Sequence, residues 1–219
     1  MTFPANATTT LGSLSVPMLD AETVLTTTRA VRRRLDLDRP VPLWRVMDCL
    51  RVAQQAPTGS GTTHWIVVTD RAVLAEIARM YRSAFQERHG GHPEVSIVDD
   101  VKRWCLSSAA YLAQHLDEVP VVVLACVDTG GPLPEGNQAS LWGSVLPAAW
   151  SYMLAARSRG LGTAWTTLHL GHEREVADLL DIPAGVHQAV LIPTAYYLGT
   201  TFGPARRPPL HTTVHQDHW

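Results

Sequence analysis

Apolar residues recur along the chain with two different periods, and these periods predict the order of its helices and strands. Spacings of three and four residues favour helices, whereas short runs rich in β-branched residues favour strands. The predicted helices span residues 20–34, 43–55, 71–85, 101–118, 139–159 and 173–180. The predicted strands span residues 65–70, 119–127, 163–168 and 187–199. Because helices outnumber the short strands, we predict one layered domain, α+β or α/β, around a mixed sheet.

Local departures from these patterns carry further expectations. Residues 119–127 are continuously apolar, which is typical of a strand that is buried on both faces. Helix 139–159 has too little polar surface to keep one face in water, so it lies either at the centre of the domain or in a subunit interface. Pro147 marks a potential kink in that helix, and Pro193 predicts a bulge or an edge position in the last strand. The Gly-Gly pair within residues 86–100 predicts a loop.

Composition narrows the class of protein. With 219 residues, of which 46 % are hydrophobic and 17 % charged, the chain can bury a full core. A net charge of −2 argues against non-specific nucleic-acid binding. No apolar run approaches the ~20 residues of a membrane helix. Residues 1–19 lack a basic start and a sustained apolar stretch, so we expect a flexible leader before a single domain at residues 20–219. Three widely spaced cysteines favour a reduced, cytoplasmic protein with buried thiols: Cys49, Cys105 and Cys126.

A loop of small and hydroxyl residues, QAPTGSGTTHW at 55–65, follows a predicted helix and precedes a predicted strand. It lacks the lysine of a Walker phosphate loop, which also requires the order strand, loop, helix. The stretch GLGTAW lacks the third glycine of a dinucleotide fingerprint, and its Gly160 and Gly162 are predicted to end a helix. Neither common nucleotide motif is present, so the residues of the loop leave its ligand open.

Two arginine clusters provide a candidate anion site. A guanidinium group suits phosphate because its planar fork bonds two oxygens at once. For either cluster alone, a solvated helix end or a charged tail is the better interpretation. The clusters are Arg29, Arg32, Arg33 and Arg34 near the N-terminus, and Arg206 and Arg207 near the C-terminus.

The histidines give no metal motif. His169 and His172 are three residues apart, but no carboxylate or cysteine motif accompanies them, so we expect capping or surface roles and no metal. His64 lies within the hydroxyl-rich loop and is a candidate substrate contact. Trp142 is a second candidate, with packing in the core or a dimer as its alternative.

Four stretches, in order along the chain, resemble the nitroreductase family of FMN flavoproteins. TTTRAVRRRLDLDRPVP and APTGSGTTHW are similar to the arginine-rich start of that family and to its A-P-[ST]-x-x-N-x-Q-x-W loop. AAWSYMLAARSRGLGTAWTTLHL is similar to the central helix and the strand after it. VLIPTAYYLG with ARRPPL resembles the last strand and the basic tail. The resemblance extends from about Val24 to Leu210.

This resemblance implies an α+β three-layer sandwich, a homodimer and bound FMN at the subunit interface. The phosphate would be held by Arg29 with Ala30, by Arg32 or Arg33, and by Arg206 and Arg207. The loop flanking the ring and ribityl chain would comprise Pro57, Thr58, Gly59, Ser60, Gly61 and Thr63. The backbone facing flavin N5 would be that of Thr166, Thr167 and Leu168. The family's loop asparagine and glutamine are Gly61 and Thr63 here, and each lost hydrogen bond costs roughly 1–3 kcal/mol of binding.

The activity that the resemblance implies is hydride transfer from NAD(P)H, through flavin N5, to a nitroaromatic, a quinone or a similar flat acceptor. The cofactor carries this chemistry, so we expect no catalytic side chain and no metal. Two alternatives remain: a flavin-dependent oxidase or dehydrogenase in a biosynthetic pathway, and a flavin-sequestering protein that is not an enzyme. A small-molecule substrate is expected in the enzymatic cases.

Overall fold

A computed structural model describes residues 19–59, 62–90, 100–200 and 202–219. Within these residues, helices cover both faces of a five-stranded sheet. The helices are α1 Ala21–Thr27, α2 Leu43–Ala53, α3 Arg71–His89, α4 Asp100–His115, α5 Ala139–Ser158 and α6 Glu173–Leu179. The strands are β1 Leu35–Asp36, β2 Thr62–Val68, β3 Val121–Asp128, β4 Leu161–Thr163 and β5 Val186–Tyr197. Short 3-10 turns occupy Leu116–Glu118, Leu168–His172 and Leu210–Thr212. The predicted leader lies almost wholly outside the described residues.

The two faces of β3 organise the core. Its side chains alternate between a cluster with α3 and α4 on one side and a cluster with α2 and α5 on the other. Every residue from Val121 to Val127 is buried, which confirms the prediction of a strand covered on both faces. Helix, sheet and helix therefore form the three layers of the expected α+β sandwich.

The strand order is β1-β5-β3-β2, and β4 also pairs with β5. These strand pairings are all antiparallel. In the part of the chain that the structure describes, the isolated bridge between Ala30 and Thr163 is the only parallel pairing, so the sheet is mixed only at that point. No helix among the described residues is long and apolar enough to cross a membrane.

The first predicted helix is wrong beyond Thr27. Asp20 caps α1 as expected, because its carboxylate accepts a hydrogen bond from the backbone N–H of Thr23. The hydroxyls of Thr27 and Thr28 then donate to backbone carbonyls one turn back, a contact that competes with helix continuation. Beyond them, the N–H of Val31 donates to the carbonyl of Thr163, which draws the chain into the sheet. Arg29 consequently lies outside the helix, and Arg32 to Arg34 lie in a turn that the hydrogen bond from the N–H of Leu35 to the carbonyl of Arg32 closes.

Other boundaries also differ from the predictions. Strand β2 begins at Thr62, three residues before the predicted start, because Thr62 to Trp65 already pair with β3. Helix α3 continues to His89, so the start of the predicted loop at 86–100 is helical; residues 91–99 lie outside the described residues. The predicted strand 163–168 keeps only its first residue in β4.

The helix and the strand that contain Pro147 and Pro193 both continue through these prolines. Pro147 lies inside α5, which continues through it from residue 139 to 158. Pro193 lies in an interior strand and pairs in regular register with Val122, whereas the register shift of this strand lies at Ala189, opposite Ala125 and Cys126. The carbonyl of Pro193 accepts from the N–H of Ala164, just beyond β4. Since the N–H and carbonyl of a strand residue point to the same side, the missing donor of Pro193 falls where β4 has already ended.

Candidate functional site

The two arginine clusters meet at one end of the sheet. The guanidinium of Arg29 donates to the carbonyls of Thr26, Thr28 and Gly203, and the last contact joins the N-terminal segment to the C-terminal tail at 2.9 Å. Burial, with a smaller contribution from the positive charge of Arg207, lowers the pKa of Arg29. The structure therefore brings together basic residues that are far apart in the sequence.

Helix α4 holds the next two arginines of the first cluster. Arg32 donates to the hydroxyl of Ser108 at 3.3 Å, and Arg33 donates to the hydroxyl of Ser107 at 2.7 Å. Ala30, between these arginines and Arg29, is exposed and forms the bridge to β4. Serine hydroxyls orient the guanidinium groups and leave their charge uncompensated.

Five arginines of the two clusters have no carboxylate partner among the described residues. In the described part of the chain, the ion pairs of arginine involve only Arg51, Arg79, Arg82 and Arg103. A group of cations without acidic neighbours repels itself and favours an added anion. A phosphate monoester fits this donor set, since guanidinium groups bind phosphate oxygens two at a time. The set is Arg29, Arg32, Arg33, Arg206 and Arg207.

The segment after β4 has fewer backbone groups available to bind a ligand than the sequence predicted. Thr166 is buried, its hydroxyl is 2.8 Å from that of Tyr81, and its N–H and carbonyl both pair with Leu191. Thr167 is exposed, and its N–H has no hydrogen-bond partner within the residues that the structure covers. Leu168 begins the following 3-10 turn and is partly buried. Of the three predicted residues, Thr167 is therefore the exposed one with a backbone donor available to a ligand.

The hydroxyl-rich loop packs on the first half of α5. The N–H of Gly59 donates to the hydroxyl of Ser144 at 3.1 Å, and the hydroxyl of Thr63 donates to the carbonyl of Ser144 at 3.2 Å. Pro57 and Thr58 are exposed. Ser60 and Gly61, also predicted cofactor contacts, lie outside the described residues. Beside the loop is an open cavity of about 250 Å³, lined by Ala53, Gln54, Thr58, Thr62, Thr63, Trp65 and Ala148.

Within one chain, the loop and the arginines lie at opposite ends of α5. The loop contacts Ser144, whereas Arg157, near the other end of the helix, donates to Thr27 just before the first arginine cluster. Thirteen residues separate these two helix positions, which corresponds to about 20 Å along the axis. The structure thus does not unite the two predicted halves of the site within a single chain.

The two predicted substrate contacts are also apart from the arginines. Alternation along β2 places His64 with Ile66 on the α3 side of the sheet, and Thr63 with Trp65 on the α5 side. His64 lines a different cavity of about 540 Å³, and its Nε2 is 3.9 Å from a carboxylate oxygen of Asp128. The indole N–H of Trp142 donates to Gln138 at 2.8 Å, and its ring is partly buried.

The expected surface or capping role of His169 is wrong. This side chain is fully buried in the turn after Thr167, and neither ring nitrogen has a hydrogen-bond partner among the described residues. Burial lowers its pKa to about 4, so the imidazole is neutral at neutral pH. His172 is half-buried, with carboxylates of Glu87 and Glu175 within 3.7 Å. No sequence pattern distinguished the two histidines, because the packing of α3 against this turn decides their burial.

The cysteines behave in two ways. Cys49 and Cys126 are buried as predicted, and burial raises their pKa to about 11 and about 12. Both are therefore thiols at neutral pH and poor nucleophiles. Cys105 is exposed on α4, so the prediction of burial is wrong for this residue.

The structure describes a three-layer α+β protein with a candidate anion site formed by arginines near β4. The chain belongs to the Nitroreductase family, whose sequence model matches residues 25–196. The predicted family is thus confirmed, and with it the general class of flavin-dependent oxidoreductase.

Individual relatives share only low sequence identity with this chain. Iodotyrosine deiodinase from Danio rerio is 26 % identical over 186 residues, which cover 82 % of this chain and 62 % of the deiodinase. The chain therefore spans less than two thirds of the length of this curated relative. Among solved structures, iodotyrosine deiodinase bound to FMN and 3-iodo-L-tyrosine is 20 % identical with a TM-score of 0.68, covering 90 % of this chain and 99 % of that one. Nitroreductase A from Vibrio parahaemolyticus is 16 % identical with a TM-score of 0.64, covering 90 % and 75 %. These structures share the fold.

We predict that His169 makes the folded protein sensitive to mild acid. Its pKa is about 4 when folded and about 6.5 when unfolded, so the unfolded chain binds the proton first as the pH falls. Stability should be lost from about pH 6.5 downwards, by about 2 kcal/mol between pH 7 and pH 5. Urea unfolding of His169→Leu at both pH values should show a smaller loss by that amount. The exposed His218, changed to glutamine, is the control. An equal acid loss in wild type and His169→Leu would contradict the prediction.

Proposed function

We propose that this protein binds FMN and uses it to pass a hydride from NAD(P)H to a nitroaromatic, a quinone or a similar flat acceptor. The observation that carries the proposal is the approach of Arg29, which donates to Gly203 of the C-terminal tail, to the positive charge of Arg207, with no carboxylate paired to either among the described residues. Family membership supports FMN as the anion that they bind.

Each part of the chain has a defined task in this proposal. Arg29 and Arg207 hold the phosphate, with Arg32 and Arg33 as further donors, because guanidinium groups match its charge and geometry. The N–H of Thr167 is a hydrogen-bond donor for the ring edge. Bound FMN supplies reversible two-electron chemistry at N5. Reduction of a quinone then consumes one NAD(P)H and one proton from water and yields a hydroquinone and NAD(P)⁺.

The loop and the arginines act on the same cofactor in this proposal because the site is shared between two copies of the chain. A two-fold interface along α5 places two copies of this helix antiparallel, so the loop end of one lies near the arginine end of the other. Exposed apolar side chains on α2 and α5 suit such an interface: Leu43, Trp44, Met47 and Trp150. Pro57, Thr58, Gly59 and Thr63 would then act on the cofactor of the partner subunit.

Anaerobic reduction of the flavin-loaded protein tests the direction of electron flow. We expect NADH or NADPH to bleach the yellow colour, and a nitroaromatic or a quinone to restore it. An iodinated aromatic belongs in the same panel of acceptors, because a relative of this chain is a deiodinase. Resistance to both nicotinamides combined with bleaching by an organic substrate would favour the oxidase or dehydrogenase alternative. Resistance to every reductant would favour a flavin-sequestering role.

The arginines, rather than the loop hydroxyl, should dominate affinity for the phosphate. We predict that Arg207→Ala weakens FMN binding at least tenfold, because a hydrogen bond to a charged group contributes about 1.5–3 kcal/mol. Thr63→Ala should cost less, since the Thr63 hydroxyl already donates to Ser144 within its own chain. Flavin fluorescence measures both affinities, and Arg51→Ala, an exposed arginine paired with Asp48, is the matched control. Equal binding of riboflavin and FMN by the wild type would refute the phosphate site.

Mixing two defective chains tests whether the site is shared. Arg29→Ala removes a phosphate contact, and Thr58→Trp fills the cavity beside the loop. We predict that each variant alone binds FMN poorly, whereas the mixed dimer regains one tight site per dimer, because one site then combines the intact arginine of one chain with the intact loop of the other. Titration of differently tagged, co-purified chains measures this stoichiometry. No regain of binding would place the loop and the arginines in separate sites.

A further inference from the structure

We propose that Phe202 is a positioning residue for the phosphate site. Its ring contacts the guanidinium groups of both Arg34 and Arg157 and thereby fixes the start of the C-terminal arm, defined as residues 203–219. The arm in turn carries Arg207 to Arg29. The link to the phosphate rests on the proposed function, whereas the anchoring of the arm stands on the contacts alone.

Three side chains surround the Phe202 ring. The guanidinium carbon of Arg34 lies 4.2 Å from the ring centroid, and that of Arg157 lies 4.7 Å from it. Tyr197, at the end of β5, meets the ring edge-on at 4.8 Å. Cations at such distances are attracted by the π electrons of an aromatic ring.

The contact with Arg157 has particular weight because this cation is buried. Only 7 % of Arg157 is exposed, and no carboxylate pairs with it in the described part of the chain. It donates to the hydroxyls of Tyr197 at 2.6 Å and Thr27 at 3.4 Å, while its Nε has no partner. A buried cation without an anion depends on whatever polar or π groups surround it. Cation–π attraction also strengthens when water is excluded, so the ring of Phe202 is held firmly.

The backbone before Phe202 reinforces this position. Arg34 and Leu198 exchange hydrogen bonds of 2.7 and 2.8 Å, which tie the end of β5 to the N-terminal segment. Gly199 has a φ of +82°, and a Cβ at this position would lie 2.8 Å from the Arg34 guanidinium. Glycine therefore allows both the turn and the close approach. Directly after Phe202, the carbonyl of Gly203 accepts from Arg29.

Beyond Gly203 the arm has no further hydrogen-bonded attachment among the described residues. The hydrogen bonds of residues 204–219 stay within the arm, as in the turn at Leu210–Thr212. Phe202 and Gly203 are thus the last fixed points before Arg207. Releasing the ring would leave Arg207 free to move away from Arg29, so the phosphate would lose one of its cations.

Substitutions at Phe202 separate a π contact from simple apolar packing. Phe202→Leu and Phe202→Met keep an apolar side chain without a ring, and Phe202→Tyr keeps the ring. We expect Leu and Met to weaken FMN binding about tenfold, with riboflavin binding unchanged and Tyr similar to wild type. Thermal unfolding confirms that each variant is folded, and the use of two ringless variants keeps the test independent of either one. An equal loss of FMN and riboflavin affinity would overturn the positioning role.

A double-mutant cycle tests whether Phe202 acts through Arg207. In an Arg207→Ala background, Phe202→Leu should have little further effect on FMN affinity, because the contact that it positions is already lost. Fully additive losses would overturn the inference.

The Arg206–Arg207 peptide bond supplies a readout without flavin. Trypsin should cut there faster in apo Phe202→Leu than in apo wild type, and an unchanged rate of cutting would overturn the anchoring itself. Faster cutting in a protein that shows no preference for FMN over riboflavin would keep the anchor and refute the proposed phosphate site.

Discussion

The pairing of the N-terminal arginine segment with the sheet is the constraint on which the rest of the site depends. A hydrogen bond from Val31 to Thr163 and the two-residue strand β1 on β5 hold this segment against the sheet. Both contacts lie near the C-terminal end of β5, where the tail leaves the sheet. The arginine segment and the start of the C-terminal tail consequently meet at one place. Had α1 continued through residue 34, Arg29, Arg32 and Arg33 would have shared one helix face, but the segment would have lacked the sheet pairing that brings it to the tail.

Much of the layering was predictable because it rests on local pattern. The unbroken apolar run of β3 and the apolar composition of α5 predict buried elements whichever strands and helices pack against them. The boundaries were less predictable, since tertiary pairing decided them. Thr62 to His64 have the composition of a loop, yet pairing with β3 makes them a strand. Thr27 and Thr28 end α1 through side-chain contacts whose outcome depends on the sheet beside them.

For the candidate site, the residue types were easier to predict than their hydrogen-bond partners and their positions on the sheet. Arginines at both ends of the chain pointed to an anion, and the structure brings Arg29 and the tail into contact. The engagement of Thr166 with Tyr81 and Leu191 could not be predicted, because those partners come from α3 and β5. Nor could the sequence decide which face of the sheet His64 occupies. That assignment depends on the register of β2, and a shift of one residue would reverse it.

The separation of loop and arginines along α5 has a consequence for how the protein responds to its own concentration. If each flavin touches two subunits, then release of flavin and dissociation of subunits are thermodynamically linked. Dilution would promote dissociation of flavin, and added flavin would promote association of the subunits. The supply of flavin, rather than the supply of polypeptide, would then set how much assembled enzyme a cell contains.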